Sequence, residues 1–167
     1  MRIYLIGFMA SGKTNRGKLL ARRLGYHFCD LDALVQQRTG YSPTQLFAQS
    51  EQTFRLHEQA ALHHTFTYQN TVIACGGGTP CFYDNIAAIN QAGTSIYIQC
   101  TPKVLHARLL AATKPRPLIA HLNPEQLMDF ITQTLALRLP YYTQAHHTVN
   151  AQEELLQLGE LLKNQAK

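Results

Sequence analysis

Gly7-Phe8-Met9-Ala10-Ser11-Gly12-Lys13-Thr14 follows directly on the apolar run Ile3-Tyr4-Leu5-Ile6. The octapeptide fills every fixed position of the glycine-rich phosphate loop. Its glycines let the backbone curl so that successive amides face one anion, Lys13 carries a positive charge to the outer phosphates, and the Thr14 hydroxyl is placed to ligate magnesium. The flanks agree with this reading. A strand leads in, and KTNRGKLLARRL at 13–24 has helical apolar spacing, so the loop opens onto a helix N-terminus whose dipole favours phosphate. An ordinary glycine turn is the competing reading, and it explains neither flank.

Working outward, short apolar runs recur at strand length at 2–6, 27–29, 71–75, 95–99 and, more weakly, 147–149. Helical spacing occupies 13–24, 43–48 with 51–65, 84–91, 102–111, 124–139 and 151–164. Ser42-Pro43, Thr101-Pro102 and Asn123-Pro124 each set a capping side chain before a proline at the first helical position. Strand alternating with helix predicts an α/β fold, a parallel five-stranded sheet with helices on both faces. The 112–123 stretch (ATKPRPLIAHLN), interrupted by Pro115 and Pro117 around Arg116, reads as a mobile lid.

The 167 residues, 46% of them hydrophobic, suit a single domain spanning 1–167. Only 15% are charged, yet the formal balance is +5. The basic residues neither run together nor interleave with aromatics, which suits small anionic ligands and argues against nucleic acid. Cys29, Cys75, Cys81 and Cys100 lack paired zinc spacing and read as reduced thiols. With the first strand beginning at residue 2, no leader in front of it and no long apolar run, the expectation is a cytoplasmic protein with no membrane partner.

A phosphate loop binds a nucleotide; the second ligand must be sought elsewhere. Asp30-Leu31-Asp32 follows the second strand, and in an extended chain residues two apart point the same way, which would aim both carboxylates at the ligand side of the sheet. One suits magnesium held through water, the other a proton from an attacking hydroxyl. Gly76-Gly77-Gly78 ends the third strand and admits close backbone approach. Arg55 and Glu58 lie one helical turn apart, so the glutamate can orient the guanidinium while its fork stays free for a carboxylate; a surface ion pair is the plainer reading. Arg138 follows a helical run and precedes Leu139-Pro140-Tyr141-Tyr142.

Taken together, GFMASGKT at 7–14, DLD at 30–32, FRLHE at 54–58, ACGGGTP at 74–80, RPL at 116–118 and RLPYY at 138–142 resemble the shikimate kinases in order and spacing over about residues 1–150. That resemblance implies magnesium-dependent transfer of the ATP γ-phosphoryl group to the 3-hydroxyl of shikimate, a step of the chorismate pathway. It implies that Met9, Ala10, Ser11, Gly12, Lys13 and Thr14 hold ATP with Arg108, which matches the arginine beside the adenine, and with Arg116, the lid arginine. Thr14 and Asp30 belong by the same token to the magnesium shell. Asp32 grips the acceptor hydroxyls and can act as base, Arg55 and Arg138 clamp the shikimate carboxylate, and Gly76, Gly77 and Gly78 line the acceptor pocket. Lys13, Asp32 and Arg116 form the implied catalytic set, residues of about 31–65 the substrate-binding helices, and the chain is expected to act as a monomer.

The bottom-up chemistry agrees. An acceptor with a carboxylate and neighbouring hydroxyls needs a bidentate cation at one end and a carboxylate at the other, with water excluded during transfer. Ala10-Ser11 and Asn15 depart from the family's commoner residues at positions of no fixed chemistry, whereas 148–152 (TVNAQ) lacks the usual basic and proline residues near the base. Two other readings stay open: a kinase of the same fold with another acceptor, such as gluconate, and a nucleotide-binding regulator without catalysis. His57-Glu58 with His63-His64 does not match HExxH, and a helix presenting Arg55 explains it better than zinc.

Overall fold

The computed structural model describes residues 1–112, 118–150 and 155–165. Five strands form one sheet: β1 (Arg2–Ile6), β2 (His27–Asp30), β3 (Thr71–Ala74), β4 (Thr94–Gln99) and β5 (His147–Asn150). Every pairing is parallel and the order is β2-β3-β1-β4-β5. The helices are α1 (Lys13–Leu24), α2 (Leu31–Thr39), α3 (Pro43–Gln49), α4 (Glu51–His64), α5 (Asn85–Ala92), α6 (Pro102–Leu110), α7 (Pro124–Tyr142) and α8 (Leu155–Gln165). Single 3-10 turns cover Thr65–Thr67 and Thr79–Cys81.

Strand side chains alternate between two apolar layers. Ile3, Leu5, Val72, Ile96 and Ile98 face a layer shared with Leu20 and Leu24 of α1, Leu105 of α6 and Leu127 and Ile131 of α7. Tyr4, Ile6, Ile73 and Tyr97 face the other layer, made by α2 to α5 together with Tyr142. With both faces covered, the central strands read as unbroken apolar runs, which is why the sequence revealed them. The three proline-preceded caps act as expected: Ser42 with Gln45 and Asn123 with Gln126 close capping boxes, and the Thr101 side chain accepts from the Val104 amide.

Two local expectations are corrected. Asp32 does not sit on an extended segment, because β2 ends at Asp30 and α2 begins at Leu31. Asp30 caps that helix, accepting from the Ala33 amide at 3.4 Å, so the strand stops where its own side chain supplies a helix start. The helix expected over 124–139 runs further: α7, which carries Arg138, continues through Pro140 to Tyr142. The lost amide donor is one bond, and the Tyr142 hydroxyl anchors the last turn by donating to Gly77 O at 2.5 Å.

Candidate active site

The sheet order determines where the site forms. β3 lies between β1 and β2, with Ala74 opposite both Leu5 and Asp30. The loops leaving the carboxyl ends of these strands, the phosphate loop, the Asp30–Asp32 segment and the glycine loop, are therefore immediate neighbours. Beyond Ala74 the Cys75 amide still donates to Leu5 O at 3.0 Å, tying the glycine loop to the first strand.

In the phosphate loop Gly7 and Gly12 adopt φ of +139° and +99°, and Gly12 caps α1 in the left-handed conformation. Lys13 is buried, its Nζ donating to Gly7 O and Phe8 O at 2.8 Å each and lying 3.5 Å from Ser11 Oγ. From α6, Arg108 Nη1 donates to Ala10 O and Ser11 O, both at 3.1 Å, so it braces the loop from behind. Thr14 Oγ1 donates to Asp30 Oδ2 at 3.0 Å, bringing two hard oxygen donors to the mouth of the cradle. A hydroxyl and a single carboxylate suit magnesium, which keeps most of its shell for water and phosphate oxygens. Among the described residues no group of three or more His, Cys, Asp and Glu side chains is placed to hold a metal by itself.

Opposite the cradle, each glycine of the second loop lies under a functional side chain. A Cβ on Gly76 would stand 2.7 Å from Glu58 Oε1 and 3.3 Å from Asp32 Oδ1. On Gly77 it would stand 3.2 Å from Arg138 Nη1 and 3.3 Å from the Met9 amide, and on Gly78 between 2.6 and 2.9 Å from the Arg55 guanidinium. The bare backbone thus leaves no room for a side chain beside Asp32, the two arginines and the Met9 amide.

Arg55 is not a surface ion pair. It is 6% exposed, donates from Nη1 to Glu58 Oε2 at 2.8 Å, and stacks 4.0 Å from the Phe82 ring centroid, with Phe54 and Phe47 at 5.1 and 5.3 Å. Glu58 is 1% exposed and accepts from Thr79 Oγ1 through its other oxygen. Arg138 lies 5.6 Å from the Phe8 ring centroid. Asp32 as a residue is exposed, yet protein crowds its carboxyl on most sides. That desolvation, then the charges of Glu58 and Asp30, outweigh Lys13 and Arg55 and push its pKa up to about 6.

The structure therefore brings together Lys13, Thr14, Asp30, Asp32, Arg55, the three glycines and Arg138, with Arg108 behind the phosphate loop. Arg116 and the rest of 113–117 lie outside the described residues, as do 151–154. The sequence reading missed Thr79, Phe82, Tyr142 and Glu51; Glu51 alone left a signal, four residues before Arg55 on one helix face. The cysteines are free, with burial raising the thiol pKa of Cys75 and Cys81 beside the glycine loop, so neither is poised as a thiolate.

Comparison with known proteins shows the family. The family model described as shikimate kinase matches residues 9–163. A protein of Phocaeicola vulgatus named shikimate kinase is 41% identical over 153 residues, covering 91% of this chain and 87% of that protein. The crystal structure of shikimate kinase from Bacteroides thetaiotaomicron superposes with a TM-score of 0.90 at 38% identity, over 99% of this chain and 98% of that one. Shikimate kinase from Acinetobacter baumannii in complex with shikimate superposes with a TM-score of 0.82 at 30% identity, over 99% and 95%.

Proposed function

The chain belongs to the shikimate kinase family and is an ATP-dependent kinase, and from that premise we propose how its own residues carry γ-phosphoryl transfer to the 3-hydroxyl of shikimate. The observation that supports this best is the glycine loop wedged between two binding surfaces. A side chain on Gly77 would meet both the Met9 amide of the phosphate cradle and Arg138 Nη1, one on Gly76 would meet Asp32, and one on Gly78 would meet Arg55. An acceptor seated on that loop has its hydroxyl near the phosphate site and its carboxylate among the guanidinium groups.

In this reading Arg55 and Arg138 hold the carboxylate as charge-assisted donors, which sets the ring in one orientation. Asp32 takes the hydroxyl proton as the oxygen forms its bond to phosphorus and the bond from phosphorus to the ADP oxygen breaks. Its raised pKa makes it a better proton acceptor than an ordinary aspartate while leaving it ionised at neutral pH. Lys13 turns from its loop carbonyls to the outer phosphates, and Arg116 joins it on the transferring group. Thr14 and Asp30 would hold the magnesium ion, which neutralises phosphate charge when bound. Arg108 keeps the loop carbonyls turned away from the anion and lies beside the base.

We place the protein in the cytoplasm as a monomer, with no nucleic-acid or membrane partner. A nucleotide co-substrate and four free thiols suit a reducing compartment, and no described helix is long and apolar enough to cross a membrane.

The test is ADP release from ATP and magnesium with shikimate, beside gluconate, quinate and no acceptor. Release that depends on shikimate is expected. Nucleotide binding without acceptor-dependent turnover would overturn the reading in favour of a regulator.

A further inference from the structure

The guanidinium of Arg55 is claimed by two carboxylates of its own helix. Glu58 takes Nη1, while Nε and Nη2, the two donors along one edge, converge on a single oxygen of Glu51 at 3.2 and 3.1 Å. These partners differ in kind. The Glu58 side chain is 1% exposed and also bonded to Thr79, so it cannot leave without stranding a buried charge. The Glu51 side chain is 58% exposed at the first turn of α4 and moves into water at little cost.

Formal charge sharpens the contrast. Two glutamates on one arginine make the cluster negative by one, at the group proposed to receive an acceptor's carboxylate. Nor does Arg55 need Glu51 for its position, because Glu58, the Phe82 ring at 4.0 Å and the backbone of Gly78 already enclose it.

We propose that Glu51 is a placeholder for the acceptor carboxylate: it covers the Nε–Nη2 edge of Arg55 in the resting enzyme and is displaced into solvent when the acceptor binds. This rests on the functional reading above and extends it. Glu51 is a positioning residue that acts through Arg55. It lowers acceptor affinity, and it keeps the Nε–Nη2 edge of a buried cation from being left bare between turnovers.

The experiment compares wild type, E51Q and E51A by calorimetry with shikimate and by steady-state kinetics. Both variants are expected to bind shikimate about two- to fivefold more tightly, the change that the energy of an exposed ion pair corresponds to. The shikimate KM should fall in step while the ATP KM stays put. The neutral methyl ester of shikimate, tested as a competing ligand, should gain nothing from either substitution. Shikimate affinity that is unchanged or weaker in folded E51Q and E51A overturns the proposal alone; absence of shikimate binding to the wild type overturns the functional reading and this proposal with it.

Discussion

Thr79 Oγ1 donates to Glu58 Oε1 at 2.5 Å, linking the turn after the glycine loop to the helix that carries Arg55. Because Glu58 also holds Arg55, both its oxygens are committed in a nearly water-free setting. Removing Glu58 leaves the buried Arg55 with only the exposed Glu51 as counter-charge and Thr79 without its acceptor, whereas trimming the hydroxyl leaves an unfilled acceptor. Glu58→Ala should lower unfolding stability by about 3–5 kcal/mol, and Thr79→Val by about 1–3 kcal/mol. Urea denaturation of the two variants checks the order; equal and negligible losses would contradict a buried network.

Gly78 tests the acceptor loop without removing a charged group. An added methyl would stand 2.6 Å from Arg55 Nη2, and Gly78 has an ordinary φ, so the substitution pushes the guanidinium and leaves the backbone unstrained. Gly78→Ala should cut kcat/KM for shikimate by about a hundredfold, as displacement of a positioning group does. ATP binding, measured by nucleotide titration, should hardly change.

Asp32 links activity to pH. Its carboxyl is raised from 3.8 to about 6, so the ionised form needed to accept a proton is lost as pH falls through that value, and kcat/KM should drop below about pH 6. Stability runs the other way. Between about pH 4 and 6 the folded protein retains a proton that the unfolded chain has released, so this group's contribution to stability is lost as pH rises through that window. Asp32→Asn should therefore raise the Tm at pH 7.5 while abolishing turnover. A lowered Tm would mean that the carboxylate stabilises the fold.

Arg116 is argued from the sequence alone. As a donor to the transferring phosphate its loss should show in kcat: Arg116→Ala is expected to lower kcat by about a hundredfold or more, with shikimate affinity retained. Unchanged kcat would remove it from the mechanism. Chelation of magnesium should stop turnover in the wild type without unfolding it, since among the described residues no cluster of three or more His, Cys, Asp and Glu side chains is placed to hold a structural metal.

Much of the candidate site was legible because its elements have local signatures. Gly7 to Thr14 is a contiguous motif, the central strands are apolar on both faces, and Ser42 and Asn123 mark helix starts by their own capping chemistry. Asp30 and Asp32 were found for a reason that did not hold. Their approach to the phosphate loop comes from the strand-to-helix junction, and periodicity cannot place a junction to within two residues. Pro140 concealed the end of α7 because a proline ordinarily stops a helix, whereas this helix runs on to Tyr142, whose hydroxyl bonds Gly77 across the fold.

By itself the sequence determined the phosphate cradle, the alternation of strand and helix and the identity of the charged groups, since each rests on contacts within a few residues or on composition. Tertiary structure alone decided that β3 lies between β1 and β2, that Glu58 and Arg55 are buried under Gly76 and Gly78, and that Glu51 covers an edge of the clamp. Those outcomes depend on pairings across tens of residues and on which side chains lose water when the layers close. A linear pattern encodes such relations only jointly, through the whole fold.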